Sequence, residues 1–463
     1  MVVVRLFAGR RVAVLGLAKS GRTAAEALAA GGADVLAWDD NPKALEGFGP
    51  EIRIENLPEA DWNGTAALVL SPGIPHSFPE PHPAVAKARA AGVEIVGDLE
   101  LLARAQPEAR YIGITGTNGK STTTALIGHI LHQAGRTAEV GGNLGTPALA
   151  LAQLGHDGAY VLECSSYQLE LLSTLSFEIA VLLNITPDHL ERHGGMNGYI
   201  AAKRRIFDRQ GDAASALIGV DDPICRAIAD EMTRAGLQRI VPVSVREPVA
   251  GGVYVEAGNL IDALDGRPVR VLDLGRAERL PGSHNWQNAA AGYAVARRFG
   301  IASAVAAAAI RSFPGLAHRQ ELVATIDGIR YINDSKATNA DATEKALTCY
   351  QAIYWIAGGL SKAGGIVPLE PYFERLRHAF LIGSATEEFA ATLDGKVPFS
   401  RCGDLATAVA AATERARADD ARAAVVLLSP ACASFDQFAN FEARGDEFCR
   451  LVAALPKPSS RSA

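Results

Sequence analysis

Short apolar runs alternate with longer Ala-rich, amphipathic stretches along almost the whole chain. The first region has apolar runs at 11–15, 34–38, 66–70 and 93–96. The central region has them at 111–115, 159–163 and 179–183, and the last region at 329–333, 353–357, 379–382 and 423–428. Apolar runs of about 4 to 8 residues are typical of buried strands. Strands that alternate with helices predict an α/β protein with parallel sheets.

The runs fall into three groups, and 463 residues are enough for about three domains at roughly 100 to 200 residues each. We expect a Rossmann-like N-terminal domain over 1–98 and a central domain of the P-loop ATPase type, with a mostly parallel sheet, over 99–316. A Rossmann-like C-terminal domain should cover 317–463.

Composition narrows the possible functions. Apolar residues make up 48% of the chain and charged residues 21%, as in an ordinary globular protein. The net charge of −6 argues against nonspecific nucleic-acid binding. The six cysteines include no C-x-x-C pair, which favours free thiols in a reducing compartment. Without a signal peptide or an apolar run of about 18 residues, we expect a soluble cytoplasmic protein.

The segment ITGTNGKST at 114–122 is the strongest chemical signal. Its glycines let several backbone N–H groups face one phosphate, Lys120 can reach the outer phosphates, and Ser121 can bind Mg²⁺. Ile114 stands where the full P-loop pattern has its first glycine. An apolar run precedes the segment, and a predicted helix follows it to about Gln133. This context favours a phosphate site over a glycine turn that only caps a helix.

A second glycine turn, Gly16–Gly21, follows the first apolar run. Ala18 replaces the middle glycine of a dinucleotide fingerprint, and Asp39 ends the next run, where an acid that binds ribose belongs. The residues leave two interpretations open: a nucleotide site, or close packing of helix on strand.

Other polar residues follow the apolar runs. Glu163 and His189 could hold Mg²⁺ beside the phosphates, although either type is more often a surface residue. Lys203, in a basic helical stretch, reads as part of a solvated helix face. Asn285 and Asn288 lie i, i+3 on one predicted helix face, where they could share a ligand or merely pack.

The last region has its own candidates. Arg319 could brace a phosphate, and Asp334 begins a polar cluster after a strand. Lys362 and Ser434 could bind a carboxylate.

Taken in order, these segments resemble the Mur ligase family of peptidoglycan synthesis. The matching segments are GTNGKST (116–122), GGNLG (141–145), LECSSYQLE (162–170), NITPDHLERH (184–193), AAKRRIF (201–207), SHNWQNAAA (283–291), GLAHRQE (315–321), INDSKATN (332–339) and LLSPACASFDQFANFEARG (427–445).

The resemblance implies three substrate sites. UDP-N-acetylmuramoyl-L-alanine would contact Ser20, Asp39, Asp40, Ser71, Pro72, Gly73 and Asn143. ATP would contact Gly116, Thr117, Asn118, Gly119, Lys120, Ser121, Thr122, Asn285, Asn288, Arg319 and Asp334. D-Glutamate would contact Thr338, Lys362, Ser434, Phe435 and Phe441.

The resemblance also implies the catalytic group, which is Lys120, Glu163, His189 and Lys203. Ser121 and Glu163 would hold one Mg²⁺, and His189 and Lys203 a second. Lys203 would carry a carbamate derived from CO₂, which replaces a cation by an anionic oxygen ligand and requires a neutral amine. This role contradicts the solvated-face interpretation.

The implied reaction is ATP-dependent amide formation through an acyl phosphate, with small-molecule substrates, no nucleic-acid or membrane partner, and a monomeric enzyme. INDSKATN and SPACASFDQF favour D-glutamate over the amino acids of sister ligases, and no D-N-P-R motif of a diaminopimelate-adding enzyme is present. An NAD-dependent dehydrogenase would leave GTNGKST unexplained. A non-catalytic nucleotide-binding regulator would not need Lys120, Glu163, His189 and Lys203 together.

Overall fold

The computed structural model describes residues 1–143, 145–362, 364–419 and 421–456. Its strands, β1 to β20 in chain order, are Arg11–Leu15, Asp34–Trp38, Ile52–Ile54, Thr65–Leu70, Glu94–Val96, Arg110–Thr115, Ala138–Gly142, Ala159–Glu163, Ile179–Leu182, Ser215–Gly219, Arg239–Ser244, Val253–Glu256, Asn259–Asp262, Val269–Asp273, Glu321–Ile326, Ile329–Asn333, Ile353–Gly358, Leu376–Ile382, Phe399–Gly403 and Val425–Leu428.

The α-helices, α1 to α14, are Lys19–Ala30, Pro83–Ala90, Asp98–Ala105, Lys120–Gln133, Ser166–Glu170, Leu190–His193, Met196–Arg204, Pro223–Ala235, Ser283–Arg298, Ser303–Ser312, Ala340–Leu347, Thr386–Leu393, Leu405–Ala418 and Phe441–Ala453. The helix predicted after the phosphate motif is α4, and it ends at Gln133 as expected. Gly135, with φ +68°, lies just beyond it in the left-handed conformation that closes many helices.

The chain divides into two compact units. The first comprises Met1–Arg276 and Asn285–Phe313, and the second comprises Ala277–His284 and Pro314–Ala463.

The first unit contains two sheets. One is a parallel sheet in the order β3-β2-β1-β4-β5. The other has nine strands in the order β14-β13-β12-β11-β10-β9-β6-β8-β7, with antiparallel pairing only among β12, β13 and β14 within the described residues. One apolar cluster contains Val12 and Val14 of β1 as well as Leu162 of β8 and Ala180 of β9, so the two sheets share a core.

A buried carboxylate ties α3 to the central sheet region. Glu100 accepts hydrogen bonds from the backbone N–H groups of Ser173 and Thr174 and from the Thr174 hydroxyl. Burial raises the pKa of Glu100, but these bonds and Arg104 outweigh it and lower the pKa to about 2. The junction between the first two predicted domains is therefore fixed by a charged group with many partners.

The second unit contains a six-stranded sheet in the order β15-β16-β20-β17-β18-β19. Only β15 is antiparallel to its neighbour in the described part of this sheet. Apolar cores cover both faces, as a parallel sheet requires. The carboxyl ends of β16, β20 and β17 are adjacent, and ligands bind at such ends.

The α/β fold class is confirmed, and each apolar run predicted to be a strand overlaps one. Three sheets follow one another along the chain as the three groups of runs predicted, while the boundaries at 98/99 and 316/317 stay a prediction. None of the described helices is long and apolar enough to cross a membrane.

Candidate active site

The loop before α4 is shaped by two glycines. Gly116 has φ +152° and Gly119 has φ +87°, a backbone conformation that residues with a side chain rarely adopt. A Cβ atom at Gly119 would also collide with Asn288 Oδ1. The loop therefore needs glycine both for its conformation and for the close approach of α9.

Asn184, which follows β9, holds this loop in place. Its side-chain oxygen accepts from the Asn118 N–H at 2.8 Å, and its backbone carbonyl accepts from the Thr117 N–H at 2.9 Å. Asn184 lies in the NITPDHLERH segment, but no role was predicted for it. Its position directly after an apolar run was the available signal.

Two lysines meet at the start of the loop. Lys120 Nζ donates to the carbonyl oxygens of Gly116 at 2.9 Å and Thr117 at 2.8 Å. Lys203 Nζ donates to the same Gly116 oxygen at 2.8 Å. The arrangement brings two cationic groups to the place where the motif predicts phosphate.

Lys203 is buried, with only 1% of its surface exposed, so the solvated-face interpretation is wrong. Its Nζ lies 4.6 Å from the ring centre of Tyr199, one helical turn earlier on α7, and the Tyr199 hydroxyl lies 3.1 Å from Thr117 Oγ1. Burial, with Lys120 as a second cause, lowers the pKa of Lys203 to about 7. A substantial neutral-amine fraction at neutral pH follows.

Glu163 ends β8, the strand next to β6, and is also buried. Its Oε1 accepts from Asn143 Nδ2 at 2.8 Å, while Oε2 is buried without a hydrogen-bond partner in the described part of the chain. A carboxylate oxygen without a partner is costly to bury unless a cation binds it. Ser121, at the start of α4, is also buried and offers a hydroxyl oxygen. The Glu163 carboxylate and the Ser121 hydroxyl together suit Mg²⁺, which binds oxygen ligands and usually takes only one or two of them from the protein.

His189 has a different environment. It adopts φ +52°, its side chain is about half exposed, and its Nε2 lies 3.4 Å from Asp188 Oδ2. Its ring centre is 5.3 Å from that of Tyr167. No group of three or more His, Cys, Asp and Glu side chains in the described residues could hold a metal by itself. The pairing of His189 with Lys203 at a second metal stays a prediction.

Asn285 and Asn288 are both buried and do share one face of α9. Asn288 Nδ2 donates to Asn285 Oδ1 at 3.1 Å, and Asn288 Oδ1 accepts from the Thr123 hydroxyl of α4 at 3.1 Å. The pair is therefore linked to the helix that begins at the phosphate loop. Its contact with ATP stays a prediction.

The Gly16–Gly21 turn is held by the side chain of Asp39. Asp39 Oδ2 accepts from the Leu17 N–H at 2.6 Å, and its Oδ1 accepts from the Asn41 N–H at 2.8 Å. A Cβ atom at Gly21 would overlap the Gly16 carbonyl, which supports close packing of α1 on β1 as the reason for that glycine.

Other residues expected to bind the UDP substrate lie near the carboxyl ends of β1, β2 and β4 in the same sheet. Ser71, after β4, donates through its hydroxyl to the Gly16 carbonyl at 2.7 Å. Asp40 contacts His82 Nε2 at 3.0 Å, and the Ser20 side chain acts to lower the pKa of the buried Asp98, against the larger effect of burial. Pro72 and Gly73 follow Ser71, and the Gly73 carbonyl accepts from Arg192 at 2.8 Å.

In the second unit, Asp334 follows β16 and is buried. Its Oδ2 accepts from the Ser429 hydroxyl at 2.8 Å and its Oδ1 from the Gln320 N–H at 3.1 Å. Burial raises the pKa of Asp334 to about 7, although these bonds and Arg319 act in the opposite direction. Arg319 therefore acts on Asp334 through space, and the contact of both residues with ATP stays a prediction.

The residues predicted to bind D-glutamate lie in segments that follow β16, β17 and β20, whose carboxyl ends are adjacent. Ser434 is buried, Thr338 and Phe441 are partly buried, and Lys362 and Phe435 are exposed. Near them lies Arg444 of α14, which is buried and for which no role was predicted. Its Nε donates to Ser335 Oγ at 2.9 Å.

Comparison with known proteins agrees with this geometry. Residues 114–296 match the family model described as the Mur ligase middle domain. The chain is 54% identical over 470 aligned residues to the UDP-N-acetylmuramoylalanine–D-glutamate ligase of Caulobacter sp. strain K31, covering 100% of both chains. It is 56% identical to the enzyme of the same name from Paramagnetospirillum magneticum, covering 98% of this chain and 99% of that one.

The fold is also that of solved Mur ligases. The UDP-N-acetylmuramate–alanine ligase MurC of Thermotoga maritima superposes with a TM-score of 0.58 at 16% identity, covering 96% of this chain and 99% of the other. Whole-length identity above one half with enzymes of a single name, together with the shared fold, leads to one conclusion. The chain belongs to the Mur ligase family and, within it, to the UDP-N-acetylmuramoylalanine–D-glutamate ligases.

Proposed function

We propose that this chain joins D-glutamate to UDP-N-acetylmuramoyl-L-alanine by an amide bond, with cleavage of ATP to ADP and phosphate, in peptidoglycan precursor synthesis. The names of its full-length relatives support this substrate pair. The cytoplasmic location and monomeric state expected from the sequence belong to the same proposal.

One observation carries the proposal: Lys120 and Lys203 both donate to the Gly116 carbonyl, and Glu163 ends the neighbouring strand with a buried oxygen that has no partner. Two cations and an available carboxylate around a glycine loop are suited to ATP phosphates and their Mg²⁺. A simple glycine turn that caps a helix would need none of these three side chains.

Ser121 and Glu163 would hold one Mg²⁺, and His189 and a carbamate on Lys203 would hold a second. The ions would offset the negative charge of the nucleotide phosphates and of the substrate carboxylate. The lowered pKa of Lys203 supports the carbamate, because only a neutral amine can attack CO₂.

In the proposed reaction the L-alanyl carboxylate attacks the γ-phosphorus of ATP, and the bond to the ADP oxygen breaks. This gives an acyl phosphate. The amine of D-glutamate then attacks the acyl carbon, and the tetrahedral intermediate releases phosphate to leave the amide. Lys120 would stabilise the charge on the phosphoryl oxygens, and the amine proton leaves to a base or water.

The remaining residues would bind and orient the substrates. Asn285, Asn288, Arg319 and Asp334 would position ATP. Ser20, Asp39, Asp40, Ser71, Pro72, Gly73 and Asn143 would bind the UDP substrate. Thr338, Lys362, Ser434, Phe435 and Phe441 would bind D-glutamate.

Phosphate release with ATP, Mg²⁺ and UDP-N-acetylmuramoyl-L-alanine, measured with one amino acid at a time, tests the proposal. We expect release with D-glutamate and background release with L-alanine, L-glutamate and diaminopimelate. Release with another amino acid would make the chain a sister ligase. No release with any amino acid would contradict the proposed reaction and favour a nucleotide-binding regulator.

A further inference from the structure

Arg444 is a buried cation whose bonding is incomplete. Its side chain belongs to α14, and only 1% of the residue is exposed. Nε donates to Ser335 Oγ, and Nη2 donates to the carbonyl oxygens of Ser335 at 2.8 Å and Cys432 at 3.1 Å. Nη1 is buried and has no hydrogen-bond partner in the described residues.

No carboxylate in the described part of the chain forms an ion pair with Arg444. Asp436 acts on it through space, but Asp436 is exposed and accepts instead from the Ser384 N–H at 3.0 Å. An arginine is rarely buried without a partner of opposite charge, because removing its charge from water is strongly unfavourable. The folded chain therefore holds an uncompensated positive charge at this position.

The position of this charge is informative. Ser335 follows β16, Cys432 follows β20, and a Cβ atom on Gly359, just after β17, would lie 3.2 Å from Arg444 Nη1. The guanidinium thus lies close to residues that follow all three of these strands, at the edge where a parallel sheet binds its ligand. The segments it contacts also carry Thr338 and Ser434.

We propose that Arg444 is the positioning residue that makes this unit select an acidic amino acid, by supplying the buried positive charge that a substrate carboxylate offsets. It would act without touching the substrate, because its surroundings have a low dielectric constant and because it fixes the Ser335 and Cys432 backbone. This inference rests on the proposed function and extends it to a residue outside the expected D-glutamate contacts.

The test compares kcat/KM for D-glutamate and for its uncharged amide, D-glutamine. Arg444→Gln removes the charge but keeps N–H donors. Arg444→Lys keeps the charge but loses the planar set of guanidinium N–H donors that bonds Ser335. We expect Arg444→Gln to lower the preference for D-glutamate about 10- to 100-fold, mainly through KM for D-glutamate, as for loss of a charge-assisted interaction. Arg444→Lys should retain most of the preference. KM for ATP should stay unchanged in both.

Arg450→Gln is the matched control, because Arg450 lies on the same helix but is exposed and paired with Glu447. The inference would be overturned if Arg444→Gln lowered kcat/KM equally for D-glutamate and D-glutamine, or if it kept the wild-type preference. If Arg444→Gln does not fold, Arg444→Lys decides, since loss of the preference despite the retained charge also overturns it. A wild-type enzyme inactive with D-glutamate would instead refute the proposed function.

Discussion

Lys120 and Lys203 donate to the same acceptor, the carbonyl oxygen of Gly116. One lysine comes from the helix that follows the glycine loop and the other from α7, more than eighty residues later in the chain. Their mutual repulsion adds to burial in disfavouring the protonated form of Lys203. The contact joins the phosphate loop to the residue expected to carry the carbamate.

Carbamylation of Lys203 should depend on pH. Because its pKa is lowered to about 7, the neutral amine is the minor form at pH 6 and the major form at pH 8. At constant dissolved CO₂ we expect the carbamate, and with it activity, to increase through pH 7. ¹³C NMR of the protein with ¹³C-labelled CO₂ measures the carbamate directly.

Lys203→Ala and Lys203→Arg should lack the carbamate signal and lose most activity, whereas Lys43→Ala, at an exposed position, should retain both. A fully active Lys203→Ala enzyme would contradict the second-metal assignment.

Glu163→Gln should separate metal binding from folding. The change removes a buried charge, and the new amide can still accept the hydrogen bond from Asn143. We expect a melting temperature without Mg²⁺ no lower than that of the wild type, because the buried Oε2 that lacks a partner is no longer a charged atom.

The stabilisation by Mg²⁺ with ATP should be reduced, and kcat should decrease about 100-fold or more. Thermal melts with and without Mg²⁺ measure the first effect and phosphate release the second. Unchanged stabilisation by Mg²⁺ would exclude Glu163 as a ligand.

Gly119→Ala should impair ATP binding more than stability. A side chain at φ +87° costs about 1 to 2 kcal/mol, and its Cβ would displace Asn288. Gly135→Ala is the control, because φ is +68° there and its Cβ would meet no atom within 4 Å.

Both variants should lose stability in urea, Gly119→Ala more than Gly135→Ala because its Cβ also displaces Asn288, but only Gly119→Ala should raise KM for ATP, by about tenfold or more. Equal KM values for ATP in the two variants would argue against a phosphate site at this loop.

Asp334 should make the second unit less stable as pH rises. Its folded pKa of about 7 lies above the ordinary value of 3.8, so the folded state holds the proton more tightly than the unfolded state. The contribution of Asp334 to the free energy of unfolding should therefore decrease between about pH 4 and pH 7 and stay constant above this range.

Asp334→Asn, which cannot ionise, should remove this part of the pH dependence and be more stable than the wild type at pH 8. Urea midpoints measured from pH 4 to pH 8 for the wild type and for Asp334→Asn give the slope of stability against pH for each protein. Parallel slopes for the two proteins would show that Asp334 is ionised throughout.

The sequence predicted the strands that carry chemistry because these are buried on both faces and read as continuous apolar runs. It did not predict the pairing of β12, β13 and β14, because these strands are short and contain several polar residues. The glycine loop and Glu163 were found because a motif and a strand end mark them.

The burial of Lys203 was not predicted, because its neighbours in sequence are basic and its contact with Gly116 joins residues distant in the chain. The family resemblance implied only a neutral amine and a carbamate at this residue. Arg444 was missed for a similar reason: in the sequence it is one charged residue on an amphipathic helix, and its bonds reach segments 12 and 109 residues away. Long-range contacts of this kind depend on the fold, and no local pattern encodes them.

The most direct test of the proposed chemistry follows the transfer of an oxygen atom from the substrate carboxylate to phosphate. UDP-N-acetylmuramoyl-L-alanine labelled with ¹⁸O in its alanyl carboxylate is incubated with ATP, Mg²⁺, D-glutamate and the enzyme, and the products are analysed by mass spectrometry. We expect an amide with D-glutamate and one ¹⁸O atom in each released phosphate. Amide formation with unlabelled phosphate would contradict the acyl-phosphate mechanism.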